Sequence, residues 1–307
     1  MTVSQLSVNH VPGSGTSRQP SESRIGGIRL LFLVLMFAGQ LAVSPAQNPA
    51  RIQNTFSHQL VRVFEYRDSL EGVHPFVKNL YPIAIAQDGH FYVFDLDETR
   101  KAYFLAASEK TGMEVPQGVR AAFPLQFYDN RCACVVSADV FDSPEGYITI
   151  FHEFVHCHQF HTVEQELKGR LSLAQKSMQE GNYMWEINYD FPYADGWFVQ
   201  TYSAFTEAAI AGNLQRVEEL RNELAEILNE HDYQYMVWQE WKEGFALYVE
   251  NLLRKHLGLS VNQVGMHPPH SRLSFYAGGA AWISLLVEQE PDLNTDLEGL
   301  FLKMFVI

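Results

Sequence analysis

Residues 152–156 read His-Glu-Phe-Val-His. Residues four apart on a helix project from one face, so His152 and His156 can offer both imidazoles to a single ion at about 2.0–2.1 Å from each nitrogen. Glu153 stands one step round the helix, placed to meet a water on the ion rather than the ion itself. Zinc brings the pKa of such a water to about 7, and a neighbouring carboxylate takes its proton as the oxygen attacks a carbonyl. The competing reading is a helix with two unrelated histidines, in a chain that carries 12 of them. Local context favours the site. Ser143 is a good N-cap, Pro144 suits the first helical position, and Glu145 lies at the positive helix end. Phe154 and Val155 fill the middle of the motif with apolar side chains, and no Pro or Gly interrupts it.

A catalytic zinc takes three protein ligands and keeps one position open. A third histidine six residues beyond His156 is ruled out, because position 162 is Thr and Gln159 stands where a turn glycine would be needed. His158 and His161 fall out of register and read as surface residues or as neighbours of the ligands. Further on, Trp241 to Glu250 reads WKEGFALYVE. With the His-Glu-x-x-His motif, this segment resembles the gluzincin zinc peptidases, the clan of aminopeptidase N and leukotriene-A4 hydrolase. Their third ligand is a glutamate in W-x-x-E-G-F-A-x-Y-x-E, and this chain is one residue shorter between Trp241 and Glu243. The resemblance implies Glu243 as the third ligand, completing a His2Glu site for one zinc per chain. Glu207, in AFTEAAIAG, is the reserve.

Those families also carry a tyrosine in Y-x-x-G-x-A-x-x-x-L that donates to the developing oxyanion. Tyr276, Gly279, Ala281 and Leu285 match it here, which implies Tyr276 in that role. A packing aromatic is the plainer reading, and His270 is a second donor candidate. The resemblance covers about residues 130–160 and 236–288. It departs from the aminopeptidases in the long stretch between the second histidine and the glutamate. It departs again in lacking a G-x-M-E-N segment, so it implies the clan's metal chemistry without aminopeptidase specificity. A di-iron helical protein would need a second Glu-x-x-His helix. Glu71 to His74 contains Gly72 and runs into Pro75, which counts against it.

The whole chain fits an exported hydrolase. Its 307 residues are 47% hydrophobic and 19% charged, enough for a substantial core. A net charge of −14 with no Lys/Arg run excludes nucleic acid as the main partner. Arg24 and Arg29 precede an apolar run from Leu30 to Val43, and Ser44 and Ala46 follow. The run is shorter than the roughly 20 residues of a membrane span, and the pattern reads as a secretory signal over residues 1–46. Membrane contact follows only if this segment stays uncleaved as an anchor. Three cysteines, Cys132, Cys134 and Cys157, allow at most one internal bridge. Cys132 and Cys134 alternate along an expected strand and read as packing.

Residues 51–72 read as a helix, and Tyr81–Leu96 as a hairpin about Gln87-Asp88-Gly89. KAYFLAA and FPLQFYDNRCACVVSADVF supply further strands up to Phe141. From Ser143 the periodicity turns helical. Helices are expected from Ser143 to Phe160, at 163–179, 197–211 and 214–231, from Tyr233 to His256, and finally over RLSFYAGGAAWISLLVEQ. The expected fold is α+β, with a strand-rich part at 47–142 and a helical zinc-binding part at 143–307. A helical insertion at about 163–232 would have to loop out and return. Trp238, Trp241 and the aromatics of YDFPYADGWF line either a cleft or the core. The expected function is an exported, periplasmic or extracellular zinc metallopeptidase acting on peptide or protein substrates. A catalytically inactive relative that binds metal and peptides is the alternative.

Overall fold

Asp88 and Gly89 both take positive φ, 51° and 72°. This is the two-residue turn whose twist matches a hairpin, and it joins β1 (Ile83–Gln87) to β2 (His90–Leu96). In this computed structural model, which describes residues 49–112 and 115–305, a helix α1 (Pro49–Leu70) precedes that hairpin. The expected export segment lies outside the described residues. Among them, no helix is long and apolar enough to cross a membrane.

β3 (Tyr103–Lys110) pairs antiparallel with β2, and β4 (Arg120–Leu125) antiparallel with β5 (Arg131–Ser137). β5 runs parallel to β1, with Cys134 opposite Ile83, so the sheet order is β3-β2-β1-β5-β4. Successive strand residues face opposite sides. Ile83, Ile85, Phe94, Cys134 and Val136 therefore enter the main core, while Ala84, Val93, Ala133 and Val135 form a smaller apolar layer behind the sheet. All three cysteines are buried and free.

A short turn from Ala138 to Asp142 leads from β5 into α2 (Pro144–Gln159). The Ser143 hydroxyl accepts from the Gly146 amide at 3.2 Å, satisfying one of the orphan donors of the first turn. α2 is buried on nearly every side, between the sheet and a long helix downstream. It continues through one wide π turn, Phe160–Glu164, into α3 (Gln165–Arg170). Leu171 is extended, so the helix expected over 163–179 is divided there, and α4 (Ser172–Gln179) follows.

α5 (Trp185–Asn188), α6 (Gly196–Ile210) and α7 (Leu214–Ile227) make up the rest of the insertion. Asn213 caps α7 as expected, but α7 stops at Ile227, and the next cap is Asn229, whose side chain accepts from Asp232 N. It opens α8 (Glu230–His256), earlier than the expected start at Tyr233. α9 (Arg272–Gln289) and an unforeseen short α10 (Leu297–Phe305) complete the chain. The fold is α+β, with strands first and helices after.

The insertion does not stand apart. Phe198, Tyr202 and Phe205 of α6 pack against Phe275 and Trp282 of α9. Arg221 of α7 makes a fully buried ion pair of 2.6 Å with Glu240 of α8, whose other oxygen accepts from Tyr202. Trp238 and Trp241 pack with ring centroids 5.2 Å apart and are wholly buried, so they belong to the core rather than to a cleft.

Candidate metal centre

α2 and α8 face each other across the site, and each supplies ligand atoms on helical spacing. His152 and His156 lie one turn apart on α2, and their Nε2 atoms are 3.2 Å from each other. Glu243, in the middle of α8, brings Oε2 to 3.1 Å from His156 Nε2 and 4.0 Å from His152 Nε2. These three are the His/Cys/Asp/Glu group among the described residues whose donor atoms converge as a metal set, all within 4.8 Å of one another. A tetrahedral zinc with bonds of 2.0–2.1 Å has ligand–ligand edges of about 3.3–3.4 Å. Two of the three edges are close to that size and the third is somewhat longer.

The outer ring nitrogens settle which way the lone pairs point. His152 Nδ1 donates to Glu250 Oε2 at 2.9 Å, and His156 Nδ1 donates to Gln159 Oε1 at 2.9 Å. The Gln159 amide cannot turn over, because its nitrogen donates to the Lys242 carbonyl at 3.2 Å. In their neutral form both imidazoles therefore keep the proton on Nδ1 and turn Nε2 toward the Glu243 oxygen. The three ligand atoms then meet as acceptors, which repel one another unless a proton or a cation lies between them. The donor set fits a divalent N2O-binding metal.

Electrostatics agree. Burial works against charge on His152, yet the hydrogen bond and charge of Glu250, with Glu153 and Glu243 behind them, hold its pKa up at about 9. Burial also opposes ionisation of Glu250, but its bond to His152 and the nearby Arg254 bring its pKa down to about 2. Arg254 Nε reaches Glu250 Oε1 at 2.7 Å, and Asn262 donates to the same oxygen at 3.1 Å. Glu243 is pushed well below the usual carboxylate range, with the surrounding positive groups outweighing its burial. The cluster calls for positive charge at its centre.

Glu153 is buried beside the two imidazoles, and its carboxylate makes no hydrogen bond with another described residue. Burial raises its pKa, only partly offset by the histidines. This is the direction that makes a carboxylate a better proton acceptor near neutral pH. Tyr276 lies against Glu243, with its hydroxyl in hydrogen-bonding contact with that carboxylate, and burial and the Glu243 charge push its pKa well above 10. Arg272 Nη1 donates to Glu243 Oε1 at 3.2 Å, and its guanidinium lies over the Tyr276 ring, 5.3 Å from the centroid.

The remaining sequence candidates fall elsewhere. His270 has both ring nitrogens engaged, by Ser203 and Ser274, each at 3.0 Å. It is thus not free to serve an oxyanion. Glu207 is exposed on α6 and outside the cluster. His158 contacts the Tyr81 hydroxyl at 2.9 Å, and His161 stacks on the Tyr81 ring. His74 is a core residue bound to Asn294. Sequence reasoning gave no role to Gln159, Glu250 or Arg272. Glu250 had a usable signal, since it falls two turns after Glu243 and so on the same face of α8.

Compared with protein-family models, with curated proteins and with solved structures, the chain matches none. The resemblance to gluzincins therefore stands on the motifs alone.

Proposed function

We propose that this chain is an exported zinc-dependent metallohydrolase of gluzincin type that cleaves peptide bonds. The observation that carries the reading is the convergence of two imidazole Nε2 atoms and one carboxylate oxygen from α2 and α8, with Glu153 beside them. Zinc held there would supply a Lewis acid and an acidified water. Glu153 would accept the proton of the attacking water and pass it to the leaving amine. Gln159 and Glu250 hold the imidazoles in the binding tautomer. Tyr276, released from Glu243, would donate to the carbonyl oxygen as charge builds there.

The test is metal content and cleavage of a peptide library by the purified protein. One zinc per chain and zinc-dependent hydrolysis are expected, with both lost in Glu243→Ala. Glu153→Gln keeps its zinc and loses about 10²- to 10⁴-fold in turnover. A zinc-loaded protein that cleaves no peptide, or a Glu153→Gln variant as fast as the wild type, would sink the peptidase reading.

A further inference from the structure

Arg272 is the one group at this centre that neither binding an ion nor moving a proton requires. It opens α9, lies largely buried, and holds its guanidinium in place by three contacts. Nη1 donates to Glu243 Oε1 at 3.2 Å and to Gln239 Oε1 at 3.3 Å, and the plane lies over the Tyr276 ring. Gln239 is in turn fixed through its amide nitrogen, which donates to the Glu186 carbonyl at 2.8 Å. Both protein carboxamide and carboxylate contacts use a single nitrogen of the fork. A guanidinium carries five N–H donors in a rigid plane suited to two-point recognition of a carboxylate; Gln239, Glu243 and Tyr276 engage part of the fork, and it has more donors than these three partners take.

The charges ask for an anion. A divalent ion brings two positive charges, and Arg254 and Arg272 bring one each. Glu153, Glu243 and Glu250 bring one negative charge apiece. The occupied centre is then left with one uncompensated positive charge, and Arg272 is the arginine nearest the ligands, because it touches Glu243 itself while Arg254 reaches Glu250. Position narrows the anion further. The Glu243 carboxylate that Arg272 touches on one oxygen approaches His156 with the other. A carboxylate seated on Arg272 therefore lies within one or two residues' length, roughly 4–8 Å at about 3.8 Å per residue, of the reacting carbonyl.

We propose that Arg272 binds the free C-terminal carboxylate of the substrate, so that the enzyme releases one or two residues from the C-terminal end of a peptide. The inference rests on the metallopeptidase reading and adds its substrate class. Tyr276 supports the fork from beneath, and Gln239 and Glu243 set its angle.

The experiment separates the two readings by measuring binding apart from turnover. Zinc-loaded Glu153→Gln protein is dialysed to equilibrium against a mixed-sequence pool of N-acetylated tripeptides, once as free acids and once as C-terminal amides. The acids are expected to be retained at least tenfold more than the amides. Adding Arg272→Met should abolish that preference, with zinc per chain measured alongside. If Arg272→Met fails to hold zinc, Arg272→Lys decides, since it keeps the charge and loses the fork. A several-fold fall in the acid preference supports the proposal, and an unchanged preference overturns it. Equal retention of acids and amides, or retention of neither, also overturns it. Hydrolysis of both pools by the wild type without acid preference sinks Arg272's role and leaves the peptidase standing. Acid-selective binding without any hydrolysis does the reverse.

Discussion

His152 and His156 sit one turn apart, yet their outer nitrogens meet different partners, a carboxylate and a carboxamide. A charged acceptor makes the imidazole more basic and fixes it more firmly than a neutral one. Loss of either partner should weaken metal binding by about 10- to 100-fold. Glu250→Ala is expected at the upper end and Gln159→Ala at the lower, as measured by competition with a zinc chelator. Equal affinities in all three proteins would show that the imidazoles are held by packing alone. Tyr276 makes a separate prediction. In the structure its hydroxyl contacts Glu243, one ligand away from where an oxyanion would form. A donor that strengthens only as charge appears raises turnover more than binding. Tyr276→Phe should thus lower kcat by about 10²- to 10³-fold with little change in KM or zinc content. A variant with unchanged kcat and slightly altered stability would make Tyr276 a packing residue.

At the scale of elements, the centre depends on how closely α8 and α9 approach. A Cβ on Gly279 would fall 2.4 Å from the Glu240 carbonyl oxygen and 2.7 Å from its Cα. These are backbone atoms, which cannot turn aside, so Gly279→Ala must push the helices apart. The expected loss is about 1–3 kcal/mol in urea unfolding, together with weaker zinc binding, because Glu243 rides on α8. Gly169 is the control. It lies in α3 with open space around its Cα, and there the same change should stabilise by roughly 0.5–1 kcal/mol. Stability gained at Gly279 as at Gly169 would show that propensity outweighs the contact there.

Elements with local signals were legible in the sequence. Asp88-Gly89 gave the hairpin, Ser143-Pro144 gave the start of α2, and the four-residue spacing gave the histidine pair. The missing parts are nonlocal. The parallel pairing of β1 with β5 joins strands with no shared turn, and the break at Leu171 follows a Gly169 that itself stays helical. Glu243 was reachable only through the motif it sits in. Nothing local distinguishes it from Glu240 three residues earlier, which is buried against Arg221 instead.

For the whole molecule, the histidines divide into two sets with opposite responses to acid. His74 ties the two ends of the described chain together. Its Nδ1 accepts from the Phe76 amide at 3.2 Å, and its Nε2 contacts the backbone and side-chain oxygens of Asn294, each at 3.1 Å. Because Nδ1 is an acceptor there, the ring is neutral with its proton on Nε2, and protonating Nδ1 would break the cap. Burial among Phe76, Phe245 and Tyr248 lowers its pKa from 6.5 to about 4, against the hydrogen bonds it donates to Asn294 and with the help of His158. Between pH 6.5 and 4 the unfolded chain binds the extra proton, so stability falls as the pH falls through that window. A shift of this size is worth on the order of 3 kcal/mol once the pH is below both values. His158, His161 and His270 are also lowered, chiefly by burial, and act in the same direction. His152 acts the other way in the metal-free protein. Its raised pKa of about 9 contributes stability that is complete below 6.5 and lost as the pH rises through 9. The metal-free chain should therefore be most stable between these limits, near neutrality. Urea unfolding of metal-free wild type and His74→Gln from pH 7 to 4 isolates the His74 part as a difference. The wild type should start more stable and lose more on acidification, so the two curves converge. Parallel curves across that range would mean that His74 is not held neutral by the fold, and the acid loss would then belong to the other titrating groups.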